Sequence, residues 1–428
     1  MFRLHRLLAR GPALGALGVV ALVAVACGGD DGPASGVPSQ AGPGGVTAAA
    51  TTVAASTPAA SEGFDGAASY EGGGAFDWLV TRVDRGTKPD IVVTSDGGVA
   101  VAYMLERTGA AGFVRVATLD GDAFSVETVQ SGYLYGPLDL AAGPDGALAV
   151  GYHNHDWEDA AVAVLAADGW RVDRINDGGH DGWDTALAYA ADGGLHLLGV
   201  DPSQFGSLDG VEYARLGEGG WAVEQVGSGP QPYEWGTAIA VASDGTLHAL
   251  YFDAATRDLA YATNDGGGWR IERIYESGDA GRFPVLSLDG RDRPHVAFIQ
   301  SDAALQAEGR SAGNVIYGAF DGSAWSFEQV ASLDNLVLGF EGARRTVAIE
   351  LAAGGPVIAY IDESVLGLAT LSDGVWSVET LFAAGDEPFQ VVGLALDANG
   401  APHLAFSTIT GNGPLDGEIW YVAPLAKG

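Results

Sequence analysis

The chain has 428 residues, 65 of them glycine, and carries 55 Asp and Glu against 21 Lys and Arg, a formal charge of −34 at pH 7. It lacks the clustered cations that nucleic acids and anionic lipid headgroups require, so neither is an expected partner. The acidic composition is typical of a soluble protein in an extracytoplasmic or salty setting. Calcium-dependent binding is the alternative interpretation.

The N-terminus has the pattern of a signal peptide. Arg3, Arg6 and Arg10 are followed by an uncharged run over residues 11–26, rich in Leu, Val and Ala. Sixteen residues are too few to span a bilayer comfortably, but they suit the apolar region of a signal peptide. We therefore expect residues 1–26 to be removed.

The only cysteine, Cys27, directly follows Ala24-Val25-Ala26. This junction resembles the lipobox of bacterial lipoproteins, in which the cysteine is acylated and becomes the new N-terminus. The resemblance implies that lipid on Cys27 holds the protein on the extracytoplasmic side of a membrane in a bacterial cell envelope. An ordinary signal-peptide cleavage site is the alternative.

Residues 27–75 consist largely of Gly, Ala, Ser, Thr and Pro and contain no Lys or Arg. A segment of this composition buries too little apolar surface to fold, so we predict a flexible tether.

From residue 76 the chain repeats a four-strand pattern, seen most clearly over residues 243–274. The last strand of each repeat reads aromatic, x, apolar, x, x, apolar. This pattern begins at Trp78, Phe124, Trp170, Trp221, Trp269, Trp325 and Trp376. Their spacings of 46, 46, 51, 48, 56 and 51 residues match the period of a propeller blade. The sequence thus predicts an all-β fold, a single seven-bladed β-propeller over residues 76–424.

The ends of the repeat array predict how the ring closes. Residues 419–423 form a third strand with no fourth after it, whereas residues 76–83 form a fourth strand with no blade before it. Pairing these two strands removes the open sheet edges. We expect the N-terminal strand to complete the last blade.

With the strands of a blade lettered a to d outward from the axis, a–b and c–d loops share one face of a propeller. The a–b turns are short Asp-Gly or Asn-Gly pairs at residues 96, 145, 192, 244, 289 and 399, typical of hairpins that need positive φ. The c–d connections at residues 264–269, 321–325 and 372–376 resemble degenerate Asp boxes of the BNR-type propellers, which include the sialidases. In that family Asp boxes are structural turns, so the resemblance implies the fold and not catalysis.

The opposite face, formed by d–a and b–c loops, varies in length and is the predicted ligand-binding surface. Aromatic rings beside charged groups suit sugars or protein segments. The candidates are Tyr133, Tyr135, His153, His155, Trp157, Trp183, Asp184, Tyr233, Glu234, Trp235, Arg282, Arg344, Arg345 and Phe389. Packing of such aromatics between blades is the alternative for each.

Two sets of histidines have different interpretations. His153 and His155 could contribute to a transition-metal site, but no third ligand is evident, so a polar loop is favoured and no metal ligand or cofactor is assigned. Histidines 196, 248, 295 and 403 occupy one repeated position at the start of strand b. We interpret them as structural.

We predict a monomeric, noncatalytic binding protein whose partner is a glycan or an envelope protein. The alternatives are an envelope scaffold and a carbohydrate-active enzyme using carboxylates such as Asp184, Glu234, Asp253 or Asp362. A sialidase would recruit Arg282, Arg310 and either Arg344 or Arg345. However, Tyr233 and Glu234 are adjacent rather than opposed, and no arginine triad is evident, so no catalytic residue is assigned.

Overall fold

The computed structural model describes residues 50–52, 68–105, 111–175, 182–201, 210–228, 236–301, 312–334, 345–362, 365–383, 389–409 and 417–427. Every regular element within these ranges is a β-strand. Within the same ranges, no helix has the length and apolar character needed to cross a membrane. The signal peptide and Cys27 lie outside the described residues and stay predictions.

Three strands precede the first complete blade: β1 (Ala50–Thr52), β2 (Ala68–Tyr70) and β3 (Phe76–Arg85). Blades one to three contain β4 (Thr87–Val93), β5 (Val99–Leu105), β6 (Gly112–Asp120), β7 (Ala123–Gly132), β8 (Leu134–Ala142), β9 (Leu148–Asn154), β10 (Asp159–Ala166), β11 (Gly169–Arg174), β12 (Ala186–Tyr189), β13 (Leu195–Asp201), β14 (Gly210–Gly217) and β15 (Gly220–Ser228). Blades four and five contain β16 (Thr237–Val241), β17 (Leu247–Asp253), β18 (Asp258–Asn264), β19 (Arg270–Tyr275), β20 (Asp279–Leu288), β21 (Pro294–Ser301), β22 (Gly313–Phe320) and β23 (Trp325–Leu333). Blades six and seven contain β24 (Val347–Ala352), β25 (Gly355–Asp362), β26 (Val365–Ser372), β27 (Val375–Ala383), β28 (Phe389–Leu396), β29 (Pro402–Ile409) and β30 (Gly417–Ala426).

These strands form seven antiparallel blades arranged in a ring. The first strand of each blade contacts the first strand of the next, and β28 of blade seven contacts β4 of blade one. The seven-bladed, all-β prediction is confirmed. Seven apolar clusters fill the ring, several of them spanning neighbouring sheets.

The N-terminal strand completes blade seven, as predicted. Strand β3 pairs antiparallel with β30, from Phe76 opposite Ala426 to Arg85 opposite Glu418. Trp78, only 1% exposed, packs into the core shared by blades six and seven. Arg82 forms an ion pair of 2.9 Å with Glu418 across the junction. The two ends of the chain therefore close the ring by strand pairing.

Two short strands lie within the segment that the sequence predicts as a tether. Strand β2 pairs antiparallel with β3, and β1 pairs parallel with β27. Gly73 lies between β2 and β3 in the chain, and its amide donates a hydrogen bond of 2.5 Å to Glu379 of β27. Lys427 Nζ donates to the carbonyl oxygens of Gly72 and Gly74 at 2.7 and 2.8 Å. Strand pairing thus begins before Phe76. The segment has no apolar periodicity, so its sequence did not predict these strands.

The four repeated histidines are structural, and each contacts a tyrosine of its own blade that packs against the next blade. In each case histidine Nδ1 lies 2.5–2.6 Å from the hydroxyl of a tyrosine on strand c. Each of these tyrosines packs edge-on against an aromatic residue of the next blade's outer strand, as in the contact of Tyr261 with Trp325 at 5.1 Å. The predicted outer-strand aromatics therefore bind blade to blade.

Most a–b turns have the predicted geometry. Gly97, Gly146, Gly193, Gly245 and Gly400 have φ between 79° and 87°. Blade five differs, because the positive φ there, 59°, belongs to Asp292 rather than Gly290. The turn carboxylates accept hydrogen bonds from amides two residues on, as in Asp244 with Thr246 at 2.9 Å. These contacts give the turn acids a local structural role.

Candidate functional site

The innermost strands surround an axial cavity of about 190 Å³. Pairing register identifies one equivalent position on each of them, three residues before the end of strand a in six blades and four residues before it in blade six. The residues there are Asp90, Asp139, Ala186, Ala238, Val285, Ala348 and Gly393. Two aspartates in an otherwise small, apolar ring give the cavity a charged side.

Arg345 joins the two aspartates from the opposite part of the ring. It lies two residues before the start of β24 of blade six, and its Nη1 lies 2.6 Å from Asp139 Oδ1 and 3.3 Å from Asp90 Oδ2. Burial opposes its charge, but Asp139 and Asp90 more than offset this effect and raise the pKa of Arg345. The guanidinium therefore stays charged.

Each aspartate also accepts a hydrogen bond from the next blade. Leu140 N donates to Asp90 at 2.8 Å, and Leu187 N donates to Asp139 at 2.6 Å. These bonds orient both carboxylates and link blades one, two and three near the axis. The carboxylates of Asp90 and Asp139 thus link neighbouring blades and also place negative charge in the cavity.

Asp184 extends this arrangement to blade four. Its Oδ2 accepts a hydrogen bond of 2.7 Å from Gly236 N, and its main-chain oxygen accepts one of 3.2 Å from Thr237 Oγ1. Burial raises the pKa of the Asp184 carboxyl to about 7, with Arg345 opposing the increase. Asp184 precedes β12, so it lies on the face formed by d–a and b–c loops.

Two carboxyls that line the cavity also have raised pKa values. Burial is the main cause of the rise for Asp90, to about 7, against the opposing charge of Arg345. Glu350, which lines the cavity from β24, also reaches about 7 because of burial and the nearby charge of Asp90. A carboxyl near its pKa at neutral pH can donate or accept a hydrogen bond, so this cavity suits hydroxyl groups.

A second group of predicted residues lies together beside blade two. The His153 ring is fully buried and stacks on Trp183 with centroids 4.3 Å apart. His155 packs edge-on against Tyr133 at 4.5 Å, and Tyr133 is 52% exposed. Trp157 packs against the apolar core of blades one and two. Tyr133 is thus an exposed ring, whereas Trp183 supports a histidine.

Arg282 and Phe389 do not lie on an exposed surface, although the sequence predicts a ligand-facing position for both. Arg282 is 5% exposed and donates to Asp279 at 2.6 Å. Phe389 is fully buried against Phe406, with centroids 5.1 Å apart. An ion pair within β20 explains the position of Arg282, and packing between strands explains that of Phe389.

Several predicted candidates lie outside the described residues: Tyr233, Glu234, Trp235, Arg344, and the side chain of Tyr135. Of the predicted candidates that the structure describes, Arg345 lines the axial cavity, and Asp184 lies close enough to it for the charges of Arg345 and Asp139 to affect its pKa. Sequence reasoning missed Asp90, Asp139 and Glu350. The sequence feature that could have identified each of them is an acidic residue within a predicted innermost strand whose other residues are mostly apolar.

The chain is similar to several solved structures, at low sequence identity. No family model matches the chain, and no curated protein matches it. Among solved structures, an arginine-to-alanine mutant of AofleA from Arthrobotrys oligospora is 14% identical, with a TM-score of 0.47 over 82% of this chain and 99% of that one. The polysaccharide lyase Uly1 is 11% identical, with a TM-score of 0.47 over 79% and 90%. An α-L-arabinanase from Penicillium chrysogenum is 11% identical, with a TM-score of 0.46 over 79% and 93%.

Proposed function

We propose that this protein is a noncatalytic carbohydrate-binding protein of the bacterial cell envelope, anchored through lipid on Cys27. Its ligand enters from the face formed by d–a and b–c loops and reaches the axial cavity. The observation that carries the proposal is the charged axial cavity, where Asp90 and Asp139 contact Arg345 and Glu350 lines the same space. Of the carboxyls in and near this cavity, Asp90, Asp184 and Glu350 have pKa values of about 7.

The chemistry of the cavity favours a neutral, hydroxyl-rich ligand. Partly protonated carboxyls and a guanidinium provide both donors and acceptors, which sugar hydroxyls satisfy in either direction. The carboxylates already neutralise Arg345, so an anionic ligand would have to displace Asp139 or Asp90. A strongly charged partner is therefore disfavoured.

The size of the cavity limits what it can hold. Its volume, about 190 Å³, is below the roughly 300 Å³ at which pockets for drug-sized ligands begin. We infer that one terminal sugar unit enters it, while the rest of a glycan lies over the surrounding face. Exposed Tyr133 offers a ring on which a sugar can stack.

A glycan array probed with residues 28–428 tests the proposal. We expect saturable binding to one class of glycan, weakened at least about tenfold by Glu350→Gln because a cavity acceptor is lost. Glu218→Gln, on an exposed turn, is the matched control and should bind as the wild type does. A blank array contradicts the proposal and favours docking of an envelope protein, which pull-down from membranes would identify.

A carbohydrate-active enzyme is the second candidate, favoured by the raised pKa of Asp90, Asp184 and Glu350. Glycosidases need one carboxyl that holds a proton near neutral pH and a second that is ionised. Turnover of a panel of aryl glycosides, abolished by Asp184→Asn or Glu350→Gln, would establish this alternative. Binding without turnover supports the noncatalytic proposal.

A further inference from the structure

Two histidines and a glutamate converge at the b–c turn of blade two. His153 Nε2 lies 4.0 Å from Glu158 Oε2, and His155 Nδ1 lies 3.2 Å from the same oxygen. The three candidate ligand atoms are all within 4.8 Å of one another. Tetrahedral zinc with bonds near 2.1 Å places ligand atoms roughly 3.4 Å apart, so small side-chain rotations would complete this geometry.

The turn that produces this convergence is shared with blade four, but the ligands are not. Glu158 and Arg257 occupy equivalent turn positions with φ of 57° and 64°. In blade four, the positions of His153 and His155 are taken by Phe252 and Ala254. Repetition of the fold therefore accounts for the turn and leaves the His-His-Glu set unexplained.

The surroundings fix two of the three side chains. Stacking on Trp183 fixes the buried His153 ring, and edge-on contact with Tyr133 positions His155. The nearby acids have other partners, since Asp156 accepts a hydrogen bond of 2.8 Å from Tyr133 N and Asp159 forms an ion pair with Arg174. The ligand set is consequently limited to His153, His155 and Glu158.

We propose that His153, His155 and Glu158 bind one divalent transition-metal ion of the zinc class. Two imidazoles and one carboxylate match zinc, cobalt, nickel or copper, whereas calcium and magnesium prefer oxygen ligands alone. The side chains of His155 and Glu158 are 29% and 35% exposed, so a fourth coordination position faces solvent. This inference is independent of carbohydrate binding.

The test uses the full chain, without a polyhistidine tag, purified in detergent, stripped with a chelator and titrated with Zn²⁺ in a calorimeter. We expect one ion per chain and at least about a tenfold loss of affinity in His155→Ala and in Glu158→Gln. Both variants alter partly exposed side chains, and their melting temperatures without metal check that they fold. Glu218→Gln should bind zinc as the wild type does.

A second readout reports the ligands directly. Co²⁺ loaded in place of zinc should give the visible absorption of a four-coordinate site, and this band should be lost in His155→Ala. Zinc should also raise the melting temperature of the wild type but not that of the variant. Absence of zinc binding, or unchanged affinity in both ligand variants, would overturn the proposal, as would saturation by calcium alone.

Discussion

Arg345 Nη1 lies 2.6 Å from Asp139 Oδ1, and this contact joins blade six to blade two across the axial channel. The same nitrogen reaches Asp90 of blade one. A single guanidinium thus compensates the charges of two aspartates. The same two carboxylates also accept hydrogen bonds from the next blade and so link successive blades. The axial cavity and the integrity of the ring depend on the same group.

Replacing Arg345 by alanine should destabilise the fold by about 3 kcal/mol at pH 7, because two largely buried carboxylates lose their counter-charge. Urea denaturation measures this change. The loss should shrink at pH 4, where Asp90 is protonated and no longer needs a counter-charge. Arg82→Ala, which removes an ion pair whose arginine is 40% exposed, should cost less than about 1 kcal/mol. Equal losses in the two variants would contradict the role of Arg345.

Glu350→Gln should make the protein more stable at neutral pH and leave it unchanged in acid. The pKa of Glu350 rises from 4.5 to about 7 in the folded state, which therefore retains a proton that the unfolded chain releases. The stability contributed by this proton is complete below pH 4.5 and is lost as the pH rises to 7. The variant should gain at most about 3 kcal/mol over that range. If the urea midpoints of the wild type and of Glu350→Gln changed in parallel with pH, the raised pKa of Glu350 would be disproved.

His196 should produce the opposite pH dependence. Burial lowers the pKa of His196 from 6.5 to about 4, so the folded state binds fewer protons than the unfolded chain. Stability is complete above pH 6.5 and falls as the pH decreases towards 4. In His196→Gln the urea midpoint should depend less steeply on pH across this interval. An unchanged slope would show that His196 titrates normally.

Ring closure can be tested by shortening the chain. A protein that begins at residue 68 retains β2 and β3 and should unfold in one cooperative transition as a monomer. A protein that begins at residue 87 lacks the partner of β30, so an unpaired sheet edge is exposed and aggregation is expected. Light scattering and thermal unfolding compare the two proteins. A monomeric, equally stable shorter protein would show that β3 is dispensable.

The sequence predicted the repeated parts of this protein because they depend on local chemistry. The aromatic residue of each outer strand and the turn glycines recur at a blade's spacing, so the fold and the structural role of His248 could be predicted. The equivalence of repeated positions likewise assigned the unpaired strand at Trp78 to the last blade.

Side-chain burial and convergence depended on tertiary structure. Arg345 and Asp90 are 255 residues apart, and no local pattern indicates that closing a seven-bladed ring brings them together. The aromatic ring of Phe389 suits ligand binding as far as the sequence shows, yet packing against Phe406 buries it. The b–c turn folds the carboxylate of Glu158 back towards His155. The sequence therefore did not indicate Glu158 as the third potential metal ligand. Sequence determined the blades through short-range periodicity, and ring closure decided which distant side chains meet.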